Sequence, residues 1–235
     1  MRVIIRCAGG ADRWGDYRGV PKHLVTLCGE RLLERAVRLT NTFVPDADVK
    51  VVVRDMSDRR YLVPGATRTR DKPNPGNGDV DKIASCRHLW DRKDRTVILF
   101  GDVWWGEDTL RSVLTDPIDG WAAWGRITAD GGGELFAFAF NPDHHRAVAD
   151  ACEQVAEAHR SGRLEGRGHG GDPVPGGWAL YRVLCGRQVD EGGDHGHLVH
   201  VTDWTDDMDT PEDWDRWCWR WATTDPAERP PMWEG

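Results

Sequence analysis

The chain has 235 residues, 39% of them hydrophobic and 30% charged, with a formal net charge of −8. That length suffices for a full core, and the composition is that of a soluble globular protein. No apolar run approaches the ~20 residues of a membrane span, and the net acidity argues against nucleic acid as a direct partner.

The charge is unevenly placed, with a net +7 over residues 1–100 and a net −15 over residues 101–235. Such a split suits a site that takes polyanionic phosphate from one side and a divalent cation from the other; it also suits an unevenly solvated surface.

The opening MRVIIRCAGG reads as a first strand at 3–5 rather than a signal peptide, so the cytoplasm is the expected compartment. That strand runs into CAGGADRWGDYRGVPK (7–22), which matches neither G-x-G-x-x-G nor a P-loop ending in G-K-[ST]. Gly9 and Gly10 suit a turn where backbone amides approach phosphate. Arg13 adds a forked guanidinium, Pro21 stiffens the return, and Lys22 supplies a compact positive charge. A plain glycine turn with a surface arginine and lysine fits the same letters.

A helix follows over 29–41, where Leu32, Leu33, Ala36, Val37 and Thr40 recur at helical spacing. A strand at 49–53 leads to a Gly/Pro-rich stretch at 64–79, read as a lid or substrate loop. A helix over 81–90 carries Lys82 and Ser85. The apolar strand 97–100 then delivers Gly101 and Asp102, a carboxylate at a strand's C-terminal end, where open α/β sheets bind ligands. Asp102 could cap the next turn or, as a hard oxygen donor, hold Mg²⁺. Helical turns at 107–114, strands at 121–124 and 135–140, and a helix at 143–159 come next. Glu134, beside the triple glycine 131–133, is a candidate for an acceptor hydroxyl.

A second Gly/Pro-rich stretch at 161–177 is read as another lid or substrate loop. GGWALYR (176–182) offers Trp178 and Arg182 either to an acceptor pocket or to ordinary packing. The histidines of DHGHLVH do not follow H-E-x-x-H, and a strand is expected at 197–201. In TDDMDTPEDW, Asp206, Asp207 and Asp209 crowd before a helix start marked by Thr210, Pro211 and Asp213. One capping residue would serve the helix, and adjacent carboxylates repel unless a cation sits among them, so metal binding is favoured. Trp214, Trp217, Cys218 and Trp221 form a stripe expected to pack on the sheet, followed by a tail at 225–235. The six cysteines include no C-x-x-C pair and read mostly as buried free thiols. Strand–helix–strand alternation gives an α/β sandwich with a largely parallel sheet, in a single domain over 1–235.

Taken together, these stretches resemble the nucleotidyltransferase superfamily with the glycosyltransferase-A-like fold, which includes sugar-phosphate, phosphocholine and molybdopterin nucleotidyltransferases. Cys7 to Arg13 and Pro21-Lys22-His23-Leu24 occupy the positions of that family's A-A-G-x-G-x-R and P-K-x-L elements, and GERLLERAVRL its following helix. Asp102 in FGDV matches the family's first metal-binding aspartate. Asp207 in DMDTPEDW matches its second, while Asp209 stands where some relatives have glycine and is the other candidate ligand.

The resemblance implies a three-layer α/β/α sandwich with a mainly parallel, Rossmann-like mixed sheet. It also implies Mg²⁺-dependent (or Mn²⁺-dependent) transfer of NMP from an NTP to a phosphorylated small molecule, a sugar phosphate being the leading class. Ala8, Gly9, Gly10, Ala11, Arg13 and Lys22 would then bind the nucleotide, with Lys22 and Arg13 catalytic. Lys82 and Ser85 would contact base or substrate, and Glu134, Trp178 and Arg182 the acceptor. The alternatives are a glycosyltransferase of the same fold and a non-catalytic nucleotide-binding protein. No membrane partner is expected, and the tryptophan-rich C-terminal face could support a homodimer.

Overall fold

The computed structural model describes residues 1–8, 13–15, 17–72, 78–127, 133–164, 176–190, 196–230 and 232. In chain order the regular elements are β1 (Arg2–Arg6), β2 (Thr26–Leu27), β3 (Glu30–Arg31), α1 (Leu32–Phe43), β4 (Asp48–Val53), β5 (Thr67–Arg70), α2 (Asp79–Ser85) and β6 (Thr96–Phe100). They continue with β7 (Val103–Trp104), α3 (Glu107–Thr115), β8 (Trp121–Ile127), β9 (Gly133–Phe140) and α4 (His145–Arg160). The last are α5 (Gly177–Leu184), β10 (Leu198–His200), β11 (Asp206–Asp207) and α6 (Pro211–Thr223).

Seven strands form one mixed sheet in the order β10-β8-β9-β6-β1-β4-β5. β1 runs parallel to β4 and β6, β4 to β5, and β8 to β10, whereas β9 is antiparallel to β6 and β8. Successive strand residues point to opposite faces. Val3, Ile4 and Ile5 of β1 are nevertheless all fully buried, as are Val97, Ile98 and Leu99 of β6, so both faces of the sheet centre are covered. α1 packs with α3, and α2, α4 and α5 pack together as a second group. The architecture is a Rossmann-like, three-layer α/β/α sandwich with a largely parallel sheet. No described helix is long and apolar enough to cross a membrane.

Several segments depart from the sequence reading. The stretch 64–79 contains an edge strand, β5, whose parallel pairing with β4 overrides its polar TRTR sequence; residues 73–77 lie outside the described residues. The 81–90 helix starts at Asp79 and breaks at Cys86 into a 3₁₀ turn over Arg87–Leu89. Gly177–Leu184, to which the sequence reading gave no element, form helix α5, with Ala179, Leu180 and Tyr181 buried; most of the second loop (165–175) lies outside the described residues. The tryptophan stripe does not pack on the large sheet. Trp217 alone of the four is fully buried, in a satellite core with Trp14, Val25, Leu27, Leu32, Trp104 and Met208, against which Trp214, Cys218 and Trp221 lie half-buried. The tail is partly tied down, since Trp204 Nε1 donates to the Glu228 carbonyl at 3.2 Å. Three of the six free cysteines, Cys7, Cys86 and Cys152, are buried.

Candidate functional site

The site forms where β1 and β6 end side by side. β6 passes into Gly101, whose amide donates to the Arg6 carbonyl at 3.0 Å. A Cβ at Gly101 would lie 2.5 Å from Cys7 Sγ and 2.7 Å from the Arg6 carbonyl oxygen, so only glycine lets the two strand ends approach this closely. Asp102 follows immediately and is thereby aimed at the segment leaving β1. Ala8 is buried there, its carbonyl accepting from Arg54 Nε at 2.8 Å. Gly9, Gly10 and Ala11 lie outside the described residues.

The distant acidic segment is brought in by a two-stranded antiparallel ribbon. Asp206 and Asp207 of β11 pair with Trp104 and Val103 of β7, and the Met208 amide donates to the Asp102 carbonyl at 2.8 Å. Neighbouring strand residues face opposite ways. Asp206 meets Arg126 Nη1 at 3.4 Å, while Asp207 feels the negative charge of Glu134, Asp209 and Asp102. Arg126 also donates to the Thr205 carbonyl at 2.6 Å, and Asp203 accepts from the Thr109 amide and hydroxyl at the start of α3. These contacts pin the segment from both sides. Thr210 and Asp213 then form a reciprocal capping box, and Pro211 opens α6.

Lys22 is the hub. Its ammonium lies 2.5 Å from Asp102 Oδ2 and 2.5 Å from Asp209 Oδ1, and its side chain is only 6% exposed. Arg13 pairs with the other oxygen of Asp209. Burial alone would lower the Lys22 pKa, but Asp102 and Asp209 outweigh it and hold the ammonium charged well above its ordinary range. Burial would likewise raise Asp102, yet Lys22, with Lys82, holds it below the usual carboxylate range.

Asp207 behaves in the opposite way. Burial, then Glu134, Asp209, Asp102 and Asp206, push it well above the carboxylate range, and among the described residues it forms no ion pair. Glu134 is solvent-accessible but faces the same crowd, and burial together with Asp209, Asp79 and Asp206 raises it to about 7.

Among the described residues, no three His, Cys, Asp or Glu side chains are grouped to hold a metal ion. The chemistry of Asp102 and Asp207 still fits a hard divalent cation. Mg²⁺ commonly takes one or two carboxylates and draws its other oxygens from water and substrate phosphates, and a cation there would relieve the repulsion around Asp207.

The other candidates fall at varying distances from this hub. Lys82 pairs with Asp79 at 3.1 Å and contributes positive charge at Asp102. Ser85 is turned inward along α2, donating to the Lys82 carbonyl at 3.0 Å. Trp178 stands beside Glu134, its Nε1 donating to the Gly133 carbonyl at 2.9 Å. Arg182 donates to the Val189 carbonyl at 2.9 Å and tethers the chain leaving α5. Trp14 is buried, with Nε1 donating to the Tyr17 and Val20 carbonyls, and Tyr17 stacks edge-on between Trp14 and Trp214. The Arg18 guanidinium lies 3.7 Å above the Trp214 ring, so Arg18 and Tyr17 are clipped to α6. His197 stacks on Trp121, and His195 lies outside the described residues.

Sequence reasoning missed Asp79, Asp203 and Arg126. A signal existed for Asp203, because the Thr205 amide donates to it at 2.9 Å, the local turn that D-x-T favours. Asp79 has a local i,i+3 partner in Lys82, but its bond from the Gly177 amide spans 98 residues; for Arg126 the Thr205 partner is 79 residues away, and no local pattern marks either long-range contact.

No protein-family model matches the chain, and no curated protein matches it. Among solved structures, it is similar to a Bacillus anthracis protein assigned as a glucose-1-phosphate thymidylyltransferase and solved in complex with a sucrose. The TM-score is 0.63 and the identity 15%, over 96% of this chain and 96% of that one. At that identity the likeness establishes a shared fold of the glycosyltransferase-A-like kind.

Proposed function

We propose that this protein is a nucleotidyltransferase that moves NMP from an NTP to a phosphorylated small molecule, with a sugar phosphate as the leading acceptor class. The observation that carries this reading is the buried Lys22 ammonium shared by Asp102 and Asp209, with Asp207 delivered beside them by the β7–β11 ribbon. The likeness of fold to a protein assigned as a sugar-phosphate nucleotidyltransferase supports it.

In the proposed reaction an acceptor phosphate oxygen attacks the α-phosphorus in line, and the bond to the leaving pyrophosphate breaks. No protein nucleophile is needed; the chain's task is positioning and charge neutralisation. Lys22 would meet the α-phosphate, and Arg13 at the solvent side would take the terminal phosphates in a forked grip. Asp102 keeps Lys22 protonated and in place. Lys82 adds positive charge at Asp102, and Trp178 with Glu134 would border the acceptor. Asp102 and Asp207 would hold Mg²⁺ or Mn²⁺, with Asp209 within reach; bound there, the cation would supply further neutralisation of phosphate charge.

The test is mass spectrometry of the protein incubated with Mg²⁺, the common NTPs and a panel of sugar phosphates. An NDP-linked product with pyrophosphate is expected from the wild type and none from Lys22→Met or Asp102→Asn, each folded by circular dichroism. Near-normal turnover in either variant would sink the assignment.

A further inference from the structure

Lys22 has two anionic partners, and they differ in depth. Asp102 is 14% exposed and lies on the interior side; Asp209 is 23% exposed and is shared with Arg13, itself 45% exposed. The outer carboxylate therefore occupies the place where an arginine and a lysine converge toward solvent. Arg and Lys donors converging on the two oxygens of one anion are also what a phosphate group takes, through the same charge-assisted hydrogen bonds. Asp209 is not needed to keep the buried ammonium neutralised, because Asp102 already does so at 2.5 Å. Removing Asp209 leaves no isolated buried charge.

We propose that Asp209 is an internal stand-in for substrate phosphate, a positioning residue that occupies the Arg13–Lys22 seat in the free protein and must yield it when a polyphosphate binds. The inference rests on the reading of the site given above. Its consequence is competition: the affinity of the seat for phosphate is reduced by the fraction of molecules in which Asp209 has vacated it. The displaced carboxylate is then free to swing toward the Asp102–Asp207 side. Nucleotide binding and the exposure of an extra oxygen donor are in this way one event, and weakly charged ligands cannot trigger it.

The decisive experiment is calorimetric titration of the full-length protein with inorganic tripolyphosphate in metal-free buffer containing a chelator. Asp209→Asn is expected to bind at least about tenfold more tightly than the wild type, the masking expected if the seat is free in about one molecule in ten. Adding Lys22→Met to Asp209→Asn is expected to abolish the gain. Affinity equal to wild type in both Asp209→Asn and Asp209→Ser, or a gain that survives loss of Lys22, would overturn the proposal. Asp209→Ser serves as a second removal of the carboxylate should the amide hold the seat through its own hydrogen bonds. Turnover is not read in this experiment. Tighter tripolyphosphate binding without NDP-linked product would retain the seat and remove the nucleotidyl reading, and product formation with unchanged binding would do the reverse.

Discussion

At the scale of single residues, the site depends on how closely two strand ends approach. Gly101→Ala puts a methyl group against the Arg6 carbonyl, which is backbone and cannot turn aside as the Cys7 thiol could. Overpacking of this kind costs about 1–3 kcal/mol, so the urea midpoint of Gly101→Ala should fall while the m-value stays unchanged. His23, next to the hub, is buried with Nδ1 3.2 Å from the Tyr61 hydroxyl, and burial lowers its pKa to about 4. Its unfolded value is about 6.5, so the folded protein resists taking the proton. The stability contributed by neutral His23 is complete above pH 6.5 and is lost as pH falls toward 4. Glu134 and Asp207, each raised by burial and by neighbouring carboxylates, gain on the same acidification. Comparing wild type with His23→Asn cancels those groups. Between pH 6.5 and 5 the wild type should lose on the order of 1–2 kcal/mol relative to the variant, measured by urea unfolding at each pH.

At the scale of elements, α6 is defined by a start signal that was readable in advance. Thr210, Pro211 and Asp213 form the predicted cap, and the Thr210 amide donates to Asp213 at 2.7 Å. Thr210→Ala should cost about 1 kcal/mol in thermal or urea unfolding, with Thr210→Ser near wild type. Because Thr210 adjoins Asp209, the same substitution should loosen the Asp209–Arg13 contact and so tighten tripolyphosphate binding, read by calorimetric titration. The central strands were equally legible, since continuous apolar runs such as VILF leave few alternatives. β5 was not legible, because TRTR has no apolar face and forms through backbone pairing with β4. α5 was hidden by the glycines before it. The tryptophan stripe was recognised as a packing face, but its partner was misassigned. Periodicity says which side of a helix is apolar and not which other apolar surface will cover it. The members of the candidate site were nearly all named from local letters, whereas Lys22 meeting Asp209 is a fact of topology.

At the scale of the whole molecule, the described residues gather into two cores. The large one surrounds the seven-stranded sheet; the small one gathers Trp14, Leu32, Trp104, Met208 and Trp217 from chain segments far apart in sequence. Contacts that close such long loops are entropically costly to form early. Trp217→Leu should therefore speed unfolding while leaving the refolding rate nearly unchanged in stopped-flow experiments. A matching drop in the refolding rate would instead place the small core in the folding nucleus.

Lys22 and Asp209 are separated by 187 residues. On a ribosome, the lysine emerges early, and Asp102 follows before half the chain has been made. The interior pair Lys22–Asp102 can form once residue 102 has been made, whereas the outer carboxylate can join only after residue 209. On the proposed masking, a growing chain between those two points should hold polyphosphate more readily than the folded protein does.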